Sequence, residues 1–290
     1  MNRVARSRRF RRERVVPWSM WLRLAFGLAI VLATLIGAAF APAITSHLPQ
    51  EQDLTLRLLP PGANPAYLLG TDALGRDIAS RLLYGARVSL LVGVLAVVIQ
   101  GGVGVPLGIV SAYYGKRWDS LIMRFADVQL AIPVLVLAIA ILGSLGPDLV
   151  KLIVVLGLTG WVTYARVARA STLSLRSGDL IAAAQAIGAS DHRILLRHVL
   201  PNIGTSLIVI GTQQVAAMIL AEAALGYLGL SVPPPTPTWG GMVVDGRDYL
   251  AFAWHVSTIP GMAILALVLS VNLLGDALSD WLNPLTRVQL

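Results

Sequence analysis

The chain contains no cysteine, and only 13% of its 290 residues are charged. The first absence excludes structural disulfides and thiolate metal sites. The second leaves about half the charge that a soluble domain of this length carries. Lysine occurs only at Lys116 and Lys151. A phosphate-cradling loop needs Gly, four residues, Gly-Lys and then Ser or Thr. Lys116 follows Gly115 but precedes Arg117, and Lys151 follows Val150, so neither lysine fits that pattern. The four histidines, His47, His192, His198 and His255, are scattered. No metal-ligand spacing and no serine–histidine–acid set emerges, so the sequence assigns no catalytic residue and no metal site.

What the chain has in place of charge is apolar length. Hydrophobic residues make up 56% of it. Uncharged runs of 27, 28, 20 and 27 residues separate Arg23 from Glu51, Arg87 from Lys116, Asp127 from Asp148 and Asp248 from Asp276. A membrane span needs about 20 mainly apolar residues at 1.5 Å rise each. Hydrocarbon offers no water to backbone amides, so such runs must be helical. The expectation is an all-α integral membrane protein with about six spans. The first lies within 21–44, followed by spans over 88–113, 119–145, 149–170, 203–229 and 257–280. Gly101, Gly102, Gly104, Pro106 and Pro133 fall inside these spans, where neighbouring helices re-satisfy the backbone. A basic start followed by an apolar run also suits a signal peptide. The run from Leu24 to Ile44 is long for one, and Ala39-Phe40-Ala41 is a weak cleavage match, so an uncleaved first span is expected.

Basic residues set the orientation. With the N-terminus in the cytoplasm, seventeen lysines and arginines fall inside and six outside. Both termini are therefore expected in the cytoplasm, as a basic tail over 1–20 and a short tail over 281–290. Segments 45–87 and 230–256 are expected outside, and a loop over 171–202 inside, so that 88–280 forms the core. The net charge of +8 sits largely in the N-terminal tail and beside the spans, which argues against nucleic acid and for a lipid bilayer as partner.

The inner loop carries the clearest pattern. Asp179 is expected to cap a short helix on which Leu180, Ala183, Ala184 and Ile187 share one face. Gly188 suits the left-handed position that ends such a helix. A second helix follows with Leu195, Leu196, Val199 and Leu200 on its apolar side, and Arg193 and Arg197 one turn apart on another. Pro201 then stops it or opens the fifth span. On pattern alone, the hairpin either receives another protein on its small-residue face or lies on the lipid surface.

The loop resembles the EAA motif of ABC-importer permeases: Glu-Ala-Ala, three residues, Gly, nine residues, Ile, one residue, Leu-Pro. Ala183, Ala184, Gly188, Leu200 and Pro201 match it, while Ala182 stands at the acidic position and His198 at the Ile. The stretch Leu69-Gly70-Thr71-Asp72-Ala73-Leu74-Gly75-Arg76-Asp77 is similar to the segment before the second span of dipeptide/oligopeptide importer permeases. So are the residues from Ser80 to Leu90, Gly229 to Gly240 and Pro260 to Asp276. The resemblance covers roughly 65–285 and points to the C-type subunit. It implies a type I ABC importer permease fold in a bacterial inner membrane. It also implies a second permease, two ATP-binding subunits that hold the ATP and Mg²⁺, and an extracytoplasmic peptide-binding protein. Asp179, Ala183, Ala184, Gly188, Arg193, Leu200 and Pro201 would then form the coupling element that meets the ATPases. A nickel complex or another solute remains an alternative cargo. An ion-coupled secondary transporter is the alternative mechanism, for which Glu222 is the one deep acid.

Glu222 either lines the pathway with Asn272 or bonds to polar groups, Asn272 among them. Arg124 and Asp127, three residues apart, are expected to pair. Asp276 and Asp280 are expected to answer Arg166 or Arg169. Asp72, Arg76, Asp77, Asp245, Arg247 and Asp248 are candidate docking contacts for the binding protein on the outer side.

Overall fold

A computed structural model describes residues 18–282. The arginines expected in the N-terminal tail, Arg3 to Arg14, and Arg287 lie outside the described residues. Those described are mostly helical, with no strand among them. Five helices are long and apolar enough to cross a membrane, and a bent pair makes a sixth span.

Helix α1 (Trp18–Ala39) is followed by a single turn over Ala41–Ile44. It exposes Trp21, Phe26, Leu32 and Ile36, and lays Gly27 against the last helix of the chain. Helix α2 (Ile78–Tyr114) begins ten residues before the expected 88. Asp77 caps it, accepting from the amides of Ala79 at 3.2 Å and Ser80 at 2.8 Å. The charge at Arg87 suggested a later start, but it does not stand alone. Arg87 donates to the carbonyls of Ala38 and Ala39 at the end of α1 and lies over the Tyr84 ring. With 37 residues, α2 is about 55 Å long and outreaches the hydrocarbon layer.

The third span is not the single helix expected over 119–145. It divides into α3 (Lys116–Leu130) and α4 (Val134–Leu145), bent by 77° at Pro133. Proline lacks the N–H that would continue the ladder and clashes with the preceding turn. The fourth is also interrupted, as α5 (Leu149–Thr159) and α6 (Trp161–Arg176) meet at Gly160. Asp148 caps α5. The carbonyls loosened at this junction are met by side-chain amides. Gln129 of α3 donates to the Thr159 carbonyl at 2.5 Å and accepts from the Trp161 indole at 2.6 Å. Gln100 of α2 donates to the Leu156 carbonyl at 3.2 Å and accepts from Gln214 at 3.1 Å.

Helix α7 (Asp179–Ala186) forms the first half of the inner loop. A turn over Asp191–Ile194 and a wider π segment over Leu195–Val199 lead without a break into α8 (Leu200–Tyr227), with Pro201 in its first turn. Helix α9 (Trp239–Gly246) is short and wedged against α2, α8 and α10 (His255–Leu282). The Trp239 indole donates to the Leu82 carbonyl at 2.8 Å.

Helix α2 is the spine. Its Val92 and Ala96 pack with Leu142 of α4, Leu152 and Leu156 of α5 and Leu225 of α8. Its first turns pack with Ile219, Trp239 and Leu267, and its last turns with Ala168, Ile181 and Ile203. The closest approach is to α6. Gly104 and Gly108, one turn apart, leave room for the backbone carbonyls of Trp161 and Ala165, which a methyl group at either glycine would overlap. This is the small-xxx-small contact that lets membrane helices touch through their backbones. Gly108→Val is therefore expected to abolish a monodisperse folded protein in detergent, as read by size exclusion and thermal unfolding. Gly261→Ala meets no neighbour within 4 Å and is expected to leave both readings unchanged.

Candidate functional site

The inner loop is a seated element. Helix α7 ends in a full Schellman turn. Gly188 takes φ +79°, its amide donates to the Gln185 carbonyl at 2.9 Å, and the Ala189 amide donates to the Ala184 carbonyl at 3.1 Å. Asp179 is not the cap: Gly178 holds that position, and Asp179 is the first helical residue, where its charge favours the helix dipole. The apolar residues of α7 divide differently from the expected single face. Ile181 and Ala184 turn inward and pack with Ile109, Tyr113, Ala168, Ile194, Val199 and Ile203. Leu180, Ala183 and Ile187 are left exposed, Ile187 to 86%. In the second half, Ile194 and Val199 are buried while Leu196 and Leu200 are exposed. Arg193 is exposed as well. Two polar ties hold the loop to the end of α2: the Tyr113 hydroxyl donates to Asp191 at 2.8 Å, and Arg176 donates to the Ala112 carbonyl at 3.1 Å.

A polar latch occupies the opposite end of α2. Asp72 and Asp77, expected among the docking contacts, are only 1% and 5% exposed. Asp72 accepts from the backbone of Leu74 and Arg76, from the Arg76 guanidinium at 2.6 Å, and from Arg81. Arg76 and Arg81 each reach Asp245 of α9 at 3.0 Å. The sequence reading missed Arg81 as a partner; an arginine one turn inside a capped helix, with acids in both outer segments, is the signal that was available. Burial pushes the Asp77 carboxyl above its usual range, against the amides of Ser80 and Ala79 that draw it down. Of the expected docking residues, Arg247 and Asp248 stand furthest out, paired with each other at 3.3 Å, and Asp245 is exposed as well.

Glu222 is fully buried inside the chain. Its two oxygens accept from the hydroxyls of Ser89 on α2 and Ser231 after α8, each at 2.9 Å. It braces these segments and does not bond to Asn272, which is half-buried on α10.

Arg124 does not pair with Asp127. Asp127 instead meets Arg166 at 2.6 Å, and Asp119 receives a two-pronged bond from Arg169, both arms 2.6 Å. Asp276 and Asp280 form neither of these pairs. The reason is packing: α3 lies beside α6, whereas α10 packs on α1, α8 and α9.

Residues 104–288 match the family described as the binding-protein-dependent transport system inner membrane component. The chain belongs to that family. It is 42% identical to the di/tripeptide transport system permease protein DppC of Pseudomonas aeruginosa, across 89% of this chain and 86% of the relative. It is 40% identical to the dipeptide transport system permease protein DppC of Haemophilus influenzae, across 89% of both. The glutathione transport system permease protein GsiD of Escherichia coli is 42% identical, across 77% of this chain and 74% of the relative. A chain of the inward-facing MetNI methionine ABC transporter shares the fold, with TM-score 0.57 and 19% identity, covering 70% of this chain and 96% of that one. This member of the family is thus a multi-pass membrane permease component of a transport system.

Asp72→Asn leaves Arg81, 6% exposed at its side chain, with its main counter-ion gone. Removing one partner of a buried pair costs about 3–5 kcal/mol. Asp72→Asn should therefore lower the thermal midpoint in detergent markedly, while Arg247→Ala should leave it unchanged.

Proposed function

We propose that the chain is one of two permease subunits of a peptide-class ABC importer, forming half of the translocation pathway. Its termini and the loop over 171–202 face the cytoplasm, in keeping with the basic residues concentrated there. ATP and Mg²⁺ belong to two separate ATPase subunits, since the sequence offers no phosphate-cradling loop. The relatives' names, which specify dipeptides, di/tripeptides and glutathione, support the cargo class. An extracytoplasmic binding protein delivers the peptide near α9, where Arg247 and Asp248 are the exposed contacts.

One observation carries the reading. The inner loop presents Leu180, Ala183 and Ile187 to the outside while Ile181 and Ala184 anchor it against α2 and α6. An exposed apolar stripe on a firmly seated helix is suited to a groove on another protein. Asp179, Ala183, Ala184, Gly188, Arg193, Leu200 and Pro201 belong to this coupling element. A push on α7 is carried through Tyr113 and Arg176 to the end of α2, so the ATPases' closure moves the bundle between inward- and outward-facing states. Glu222, enclosed between two serines, supports a bracing role in place of the ion site that a secondary transporter would need.

Reconstitution with the partner permease, ATPases and binding protein tests this. Peptide uptake into proteoliposomes should require ATP and all the partners. Ile187→Asp should reduce co-purification of the ATPases at least about tenfold, a loss of ~1.4 kcal/mol, with the thermal midpoint unchanged because the side chain is exposed. Uptake driven by an ion gradient in the absence of the ATPases would overturn the reading.

A further inference from the structure

Between α3 and α6 lies a cavity of about 490 Å³ whose wall carries Asp119, Arg124, Asp127, Arg166 and Arg169. That volume falls in the range of small-molecule sites, roughly 300–1,000 Å³. Helix α3 is two-sided. Trp118, Leu121, Phe125 and Val128 are exposed as an apolar stripe, while Asp119, Arg124 and Asp127 face the cavity. On the orientation set by the basic residues these charges lie toward the cytoplasmic ends of the third and fourth spans, where charged side chains meet partners or water.

The wall holds three arginines against two aspartates. Arg169 is matched by Asp119 and Arg166 by Asp127. Arg124 is the arginine left over, with no ion pair among the described residues. The cavity therefore offers one open cation beside two satisfied pairs, which suits a carboxylate group. A guanidinium holds a carboxylate through two parallel N–H donors.

We propose that this cavity is a station on the translocation route where Arg124 holds the terminal carboxylate of a small peptide. This rests on the peptide-permease reading above. The position of α6 links the station to the motor. Helix α6 runs through Ser177 and Gly178 directly into α7, so displacement of the inner loop moves Arg166 and Arg169 relative to Arg124 on α3. The grip on the carboxylate thereby changes with the state of the ATPases, and the cargo is released as the loop shifts. A lipid phosphate has the same anionic chemistry, and the test separates the two.

The complete transporter, with its partner permease, ATPases and binding protein, is compared as wild type, Arg124→Gln and Arg124→Lys. In phosphatidylcholine proteoliposomes, Arg124→Gln should lower dialanine uptake per ATP hydrolysed by about tenfold, a change of ~1.4 kcal/mol. ATPase stimulation by the loaded binding protein should persist, and Arg124→Lys should recover most of the uptake. In nucleotide-free wild-type complex in phosphatidylcholine nanodiscs, dialanine should bind about tenfold more tightly than dialanine amide. That second measurement stands even if the glutamine variant misfolds. Equal binding of acid and amide, or a glutamine variant with wild-type uptake, overturns the station while leaving the importer reading intact. An effect of Arg124→Gln that appears only when phosphatidylglycerol is present assigns the cavity to a lipid headgroup and also overturns it. A wild-type assembly that takes up no peptide at all removes the cargo class, and this proposal with it.

Discussion

The bundle depends on a contact between two backbones. Where α2 crosses α6, Gly104 and Gly108 bring the spine helix against the carbonyls of Trp161 and Ala165 with no side chain between them. In a bilayer, apolar side chains gain nothing by leaving lipid for protein, so association relies on close van der Waals approach and on polar ties. The α2–α6 crossing provides the first, and the glutamine amides beside it provide the second. Everything that touches α2 takes its position from that crossing: α5 and α8 along its middle, α9 at one end and the inner loop at the other.

The charges are distributed according to what surrounds them. At the outer end, Asp72, Arg76, Arg81 and Asp245 neutralise one another and lock the 45–77 segment to α9. In the middle, the single carboxylate at Glu222 is enclosed by two hydroxyls and faces no solvent path within the chain. Between α3 and α6, the ion pairs are half-open, with Arg166 and Asp127 more than half exposed at their side chains. The same residue types thus serve as a latch where they are buried and line a water-accessible space where they are not.

The helical membrane class and the bulk of every span were legible because uncharged runs of that length have no other stable form in hydrocarbon. Gly188 was legible too, since a left-handed terminus after a short helix selects glycine. Helix ends were less so. Treating Arg87 as a boundary marker hid the start of α2, because the carbonyls that receive its guanidinium come from the end of α1, about fifty residues earlier. Pro133 falls inside the third span as expected, and there it bends the path because its ring excludes the preceding turn and it has no N–H to give. The partner of Asp127 was misread for a similar reason. Local spacing favoured Arg124, and only the crossing of α3 with α6 brings Arg166 within reach. On α7, the residue pattern identified an amphipathic helix but not which face turned inward, because that is set by Ile109 and Tyr113 of α2.

The junction at Gly160 has a mechanical meaning. Because Gln129 and Gln100 take over the carbonyls there, the fourth span has no continuous rod of hydrogen bonds from end to end. The break leaves no bare dipole in the fat. Both halves rest on the spine, the lower through Gly104 and Gly108 and the upper through Gly157 against Ile99, so α2 sets the angle at which they meet. The fold thus carries a broken helix through lipid with two primary amides standing in for the missing turn.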